Sequence, residues 1–144
     1  MGLIDLIRGK DPVFTGTIDP KWVRNPKGKF HRLFDLDPDE AGLAGVGGVY
    51  VIWHGGVHPE WVYVGETNDL ASAFVAASVD DDIQQYEING HLFATWSPVL
   101  EKYRPGVVLY LAQTMEPLVE NPAVPSSDRR LEPIKVAFPS RTAG

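Results

Sequence analysis

Two tyrosines are placed where they could do chemistry. Tyr50 closes Gly48-Val49-Tyr50, Tyr63 opens Tyr63-Val64-Gly65, and twelve residues separate them. A phenol can order an attacking water or relay a proton if its surroundings keep its pKa within reach. The ordinary use of a strand tyrosine is packing, with its hydroxyl hydrogen-bonded. His54, His58 and Glu60 form a second group whose donors suit zinc or nickel. Two histidines in a Gly- and Pro-containing loop read more simply as solvent-facing, so no metal site is expected. Asp80, Asp81 and Asp82 lack the spaced acids and glycine of a calcium loop and read as a helix start. Ser72, Ser78 and Ser97 have neither a neighbouring histidine nor a nucleophile elbow. Gly42, Gly45, Gly47 and Gly48 precede a strand and lack a Gly-Lys-Ser/Thr ending, so they form no phosphate loop. Trp53, Trp61, Phe93 and Trp96 read as core rather than as a stacking platform.

Composition narrows the chemistry further. The 144 residues contain no cysteine, which removes disulfides, thiolate metal sites and thiol nucleophiles and fits a cytoplasmic protein. The N-terminus lacks the long apolar region and cleavage site of a signal peptide, and Leu6 breaks the myristoylation pattern. No apolar run is long enough to span a bilayer. The net charge of −6 conceals a strong polarity along the chain. Residues 1–32 carry seven Lys/Arg against three acids, residues 33–101 carry twelve acids and no Lys or Arg, and residues 102–144 carry six basic residues against four acids. A central block of that charge repels polyanions. The basic patch at Lys21, Arg24, Lys27, Lys29 and Arg32 is the one place suited to nucleic acid or to an acidic protein surface.

The elements that must position these residues follow from periodicity. Residues 1–7 read as a short amphipathic helix stopped by Asp11-Pro12, too short to persist undocked. Asn25-Pro26-Lys27-Gly28 marks a turn between extended arms at 21–24 and 29–34, a hairpin with a basic tip. Residues 48–53 and 61–65 read as two antiparallel strands joined by a turn at 54–59. Thr67 or Asn68 is the expected N-cap of a helix over 69–78, with Leu70, Ala73, Phe74 and Ala77 inward. A short helix from Asp80 to about Gly90, a third strand over 92–96 and a helix opened by Arg104-Pro105 and ended by Pro117 complete the pattern. That last helix turns Val107, Val108, Leu111 and Met115 inward, and residues 122–144 read as a Pro- and Ser-rich extended tail.

The two tripeptides, their spacing, Thr67 and Leu70 ahead of a helix, and the later strand and helix followed by Asn121 together resemble the GIY-YIG nuclease superfamily over residues 46–121. The resemblance implies an α+β fold in which about three antiparallel strands are flanked by helices. Residues 1–45 would form an N-terminal helix-and-hairpin extension and 122–144 the tail. It also implies metal-assisted phosphodiester cleavage, with a tyrosine beside the water, an arginine on the first helix and a metal-binding glutamate on the later one. A developing anionic phosphorane needs such a cation and Lewis acid. In this sequence the arginine position falls on Ala73 and the glutamate position on Val108.

The expected function is therefore a catalytically inactive GIY-YIG-like domain serving protein interaction or assembly, without cofactor. Its motif remnant is Tyr50 and Tyr63 with Gly48, Gly65 and Thr67. Two alternatives stand beside it. One is a magnesium- or manganese-dependent endonuclease with relocated groups, for instance Glu66 as metal ligand and Arg104 as phosphate clamp. The other is a non-cleaving nucleic-acid binder working through residues 21–32. A further possibility is head-to-tail self-association of the basic patch with the acidic block of another copy.

Overall fold

The computed structural model describes residues 18–124 and 131–140. Its centre is β2 (Gly48–His54), a run of β-branched and aromatic residues buried along its entire length. Such a strand needs partners on both edges and cover on both faces. β3 (Glu60–Thr67) lies antiparallel on one side, with Tyr50 opposite Gly65 and Val49 opposite Glu66. β4 (Leu92–Ser97) lies antiparallel on the other. The two-residue β1 (His31–Arg32) pairs with β4 and completes an antiparallel sheet of four strands in the order β1-β4-β2-β3. The α+β class stands as expected, but the sheet has a fourth strand beyond the three expected, supplied by the segment read as a hairpin extension. The basic turn does form: Gly28 N–H donates to the Asn25 carbonyl at 2.8 Å and Asn25 N–H to the Lys29 carbonyl at 2.7 Å. Its arms are recruited to β4, through the β1 ladder and through Val23 N–H donating to the Trp96 carbonyl at 3.0 Å. An amide beside an open sheet edge finds its acceptor there more readily than across a two-strand ribbon.

Alternation along the strands sends Tyr50 and Ile52 to one face of the sheet and Val49, Val51 and Trp53 to the other. The first face is covered by α1 (Leu70–Ser78), by α2 (Asp81–Gln84) with the 3₁₀ turn Gln85–Asn89, and by the loop carrying Leu33 and Leu43. Leu70, Phe74 and Ala77 of α1 are buried against it, while Ala73 is only half-buried. The cap of α1 is Asp69, one residue beyond the expected Thr67 or Asn68: its carboxylate accepts from Ser72 N–H and from the Ser72 hydroxyl. Thr67 instead anchors the approach, its hydroxyl accepting from Asp69 N–H at 3.0 Å. Asp80 caps α2 as its acidic start suggested, and Gly90 ends the following turn at φ +104°.

The second face is covered by α3 (Arg104–Met115), which starts with proline in its first turn and buries Val107, Val108, Leu109, Leu111 and Met115. Returning segments of the chain complete the cover of this face beside it. Ile134 N–H donates to the Gly106 carbonyl at 2.9 Å, Val136 bridges Ile18, and Trp22 Nε1 donates to the Ala137 carbonyl. Residues 131–140 of the tail are therefore packed back onto the domain. The outer edge of β3 is also closed, because Leu118 and Val119 N–H donate to the Trp61 and Val62 carbonyls and Asn121 Nδ2 donates to that of Val64. Covering an edge in this way removes a template for strand addition. The expected helix over 1–7 lies outside the described residues. Among the described residues no helix is long and apolar enough to cross a membrane.

Candidate functional site

Tyr50 and Tyr63 meet on the α1 face. Their rings stack with centroids 6.1 Å apart, and Tyr50 also packs edge-on against Phe74 at 5.5 Å. Tyr50 is 7% exposed and Tyr63 half-buried. The missing side chain at Gly65 makes room for this pair, since a Cβ there would lie 2.6 Å from the Tyr50 hydroxyl oxygen. Gly48 is tight for another reason: its Cβ would lie 2.5 Å from the Ser97 carbonyl of β4. Both motif glycines are thus required by packing.

Burial pushes the Tyr50 phenol upward, and the neighbouring Tyr63 and the hydrogen bond between the hydroxyls add to it. Burial also raises Tyr63, reinforced by the Asp80 carboxylate, while the bond to Tyr50 pulls the other way. Both phenols therefore hold their protons more tightly than free tyrosine does. That is the wrong direction for accepting a proton from water near neutral pH.

The positions where the resemblance calls for a cation and a metal ligand hold neither. Ala73 packs beside the aromatic cluster on the α1 face, and Val108 is buried at 2% on the α3 face. Glu66 and Arg104, the relocated candidates, come near one another but not near the tyrosines. Glu66 lies opposite Val49 and so shares the α3 face. It lines a cavity of about 640 Å³ together with Glu101, Val108 and Asn121. Partial withdrawal from water raises its carboxyl pKa; the Arg104 guanidinium opposes that shift and Glu101 adds to it.

Arg104 is held by a backbone carbonyl and an asparagine side chain. Nε donates to the Val99 carbonyl at 2.7 Å and Nη1 to Asn68 Oδ1 at 2.8 Å. Its guanidinium lies flat over Gly47, where a Cβ would meet Nη2 at 2.5 Å. The glycine-rich run, which forms no phosphate loop, therefore seats this arginine at Gly47. Arg104 ties the start of α3 to the end of β3, a positioning role that sequence alone did not reveal.

His54 departs from its expected solvent-facing position. It ends β2 at 3% exposure, with Nδ1 2.9 Å from the Gly55 carbonyl and Nε2 3.2 Å from Glu60 Oε1, and its ring stacks on Tyr86. The alternation of β2 already carried this signal, since position 54 shares the face of Tyr50 and Ile52. His58 is exposed in the loop beyond. Among the described residues no three His, Cys, Asp or Glu side chains come together as a metal site. Trp53 and Trp96 are core, buried at 2% and 6%.

Lys21, Arg24, Lys27, Lys29 and Arg32 are all exposed around the turn beside β1. Arg24 is stacked over the Phe30 ring, 4.0 Å from its centroid, and Nη1 donates to the Gly28 carbonyl. Asn25 Oδ1 accepts from Lys27 and Lys29 N–H, so the turn is a formed projection. Among the described residues His54 Nε2 lies 3.2 Å from Glu60 Oε1 and His91 Nδ1 lies 2.9 Å from Glu87 Oε2. No family model, curated protein or solved structure matches the chain.

Proposed function

We propose that this chain is a GIY-YIG-like domain without nuclease chemistry, serving as a protein-interaction or assembly module. The observation that carries the reading is the composition of the tyrosine cluster. Tyr50 and Tyr63 are stacked with raised phenol pKa values, and Ala73 and Val108 occupy the positions where the resemblance calls for cation and metal ligand. A buried tyrosine pair with no cation and no Lewis acid stabilises neither the attacking hydroxide nor the phosphorane. The separation of Glu66 and Arg104 from the tyrosines, on the opposite face of the sheet, argues against the relocated-nuclease alternative. The acidic block over 33–101 supports a partner that is not a polyanion.

The test is a cleavage assay on supercoiled and branched DNA with magnesium or manganese. No nicking above background is expected from the full chain. Nicking that disappears in Tyr63→Phe would sink the proposal. The nucleic-acid-binding alternative predicts salt-sensitive DNA or RNA retention that drops when Arg24 and Lys27 become alanine.

A further inference from the structure

The exposed side of α1 is unusual for a surface helix. Its nine residues, Leu-Ala-Ser-Ala-Phe-Val-Ala-Ala-Ser, include no charge at all. A helix with one solvated face ordinarily carries its charges there. Here that face presents Val75, exposed at 55%, beside Ala71, Ser72 and Ala76, with Val79 exposed at 69% just past the helix end. The loop from Pro38 to Ala44 runs alongside and makes a groove of about 450 Å³ whose floor is small and apolar. Small residues allow close approach of a backbone. The rim is acidic: Asp39 and Asp69 line it, Asp35, Asp37 and Glu40 stand on the flanking loop, and Asp80, Asp81 and Asp82 follow α1. The Ser72 hydroxyl and Gly45 N–H bonds hold Asp69 below the ordinary carboxylate range.

We infer that this groove receives the basic turn of a second copy of the chain. The inference rests on the interaction-module reading and names its partner. The turn has the complementary chemistry: it carries five cations, Lys27 at its exposed Pro26-Lys27-Gly28 tip and four around it, with the tip held by the Asn25 bonds. The proline and glycine suit a floor of alanines, and the lysines reach the acidic rim. No Lys or Arg occurs between residues 33 and 101, so that stretch supplies no cation to its own rim. Turn and groove share no residue, so the contact is head-to-tail and grows into a ring or a chain of copies. Because its attraction is between exposed charges, it weakens with salt.

The experiment is sedimentation of the full chain at about 0.1 mM protein, in about 50 mM and about 0.5 M NaCl. Oligomers are expected at low salt, with association weakened at least about tenfold at high salt. Lys27→Glu with Lys29→Glu reverses the charge at the tip of the turn, and Asp39→Lys with Val75→Lys blocks the groove; each double variant alone is expected to be a monomer. Mixed together, they are expected to form a one-to-one dimer, because one variant retains the groove and the other the turn. Circular dichroism checks that both are folded. A wild-type monomer at low salt overturns the inference, as does an oligomer indifferent to both variants or a mixture that stays monomeric. A monomer that also leaves DNA intact overturns the docking alone, so this inference and the proposed function fail separately.

Discussion

The two faces of the sheet are closed by different parts of the chain. The α3 face is covered by Val107, Val108, Leu111 and Met115 together with the returning segments that carry Ile18, Trp22, Ile134 and Val136. The α1 face is covered by α1, the 3₁₀ turns and the loop bearing Leu33 and Leu43. It holds Tyr50, Tyr63, Phe74, Trp96 and His54, while Phe30, Trp53, Trp61 and Phe93 cluster on the α3 face. The α3 face takes in the returning segments of the chain, and the α1 face leaves the outer side of its helix exposed at Val75. The difference shows how a chain can keep a site-like cluster of side chains while the surface it offers lies one layer out, on the far side of α1.

The largest effect expected from breaking this comparison is on the α1 face. Phe74 is 2% exposed and packs edge-on against both Tyr50 and Trp96 at 5.5 Å. Phe74→Ala empties the centre of that cluster. A loss of about 3–5 kcal/mol is expected from urea unfolding. A loss below about 1 kcal/mol would mean that the α1 face repacks as readily as a surface.

The α3 face gives the next effect. Val136 is 3% exposed and lies over the α3 side beside Ile18. Val136→Ala removes two buried methyl groups and is expected to cost about 2 kcal/mol, leaving the tyrosine stack unchanged in near-ultraviolet dichroism. A cost near zero would show that the tail contributes no cover. Gly47→Ala tests the joint between the faces at a smaller scale. The added Cβ displaces the Arg104 guanidinium from its bonds to Val99 and Asn68, with an expected loss of about 1–2 kcal/mol. Combined with Arg104→Ala, the two substitutions are expected to cost less than their sum, because both act on one contact.

The legible and illegible parts of the sequence divide along the same line. Strands β2, β3 and β4 and helices α1 and α3 announced themselves through runs such as Gly-Val-Tyr-Val-Ile-Trp and through the Pro105 start, because local periodicity sets which face each residue takes. The long-range closures did not. Val23 on Trp96, Leu118 on Trp61 and Ile134 on Gly106 are single backbone bonds between segments far apart, and no local pattern encodes them. The tyrosine pair was visible as a spacing. The seating of Arg104 on Gly47 was not, because it depends on how the ends of β3 and α3 meet.

The finest test contrasts two carboxylates just before α1, one associated with each face, whose pKa values move in opposite directions. Asp69 is lowered, first by the Ser72 hydroxyl and then by Gly45 N–H, so the folded state prefers its charged form. Its contribution to stability is present above the ordinary carboxylate range and is lost as pH falls through its lowered value. Glu66 is raised, mainly by withdrawal from water, so the folded state prefers its protonated form. Its contribution is present below the ordinary range and is lost as pH rises through its raised value. Asp69→Asn keeps a capping side chain but removes the titration, so the variant is expected to lose less stability than the wild type on acidification. Glu66→Gln is expected to gain on the wild type as pH rises from the acidic range toward neutrality. Urea midpoints followed across that range check both slopes. If the two difference curves run the same way with pH, the electrostatic contrast between the faces is wrong.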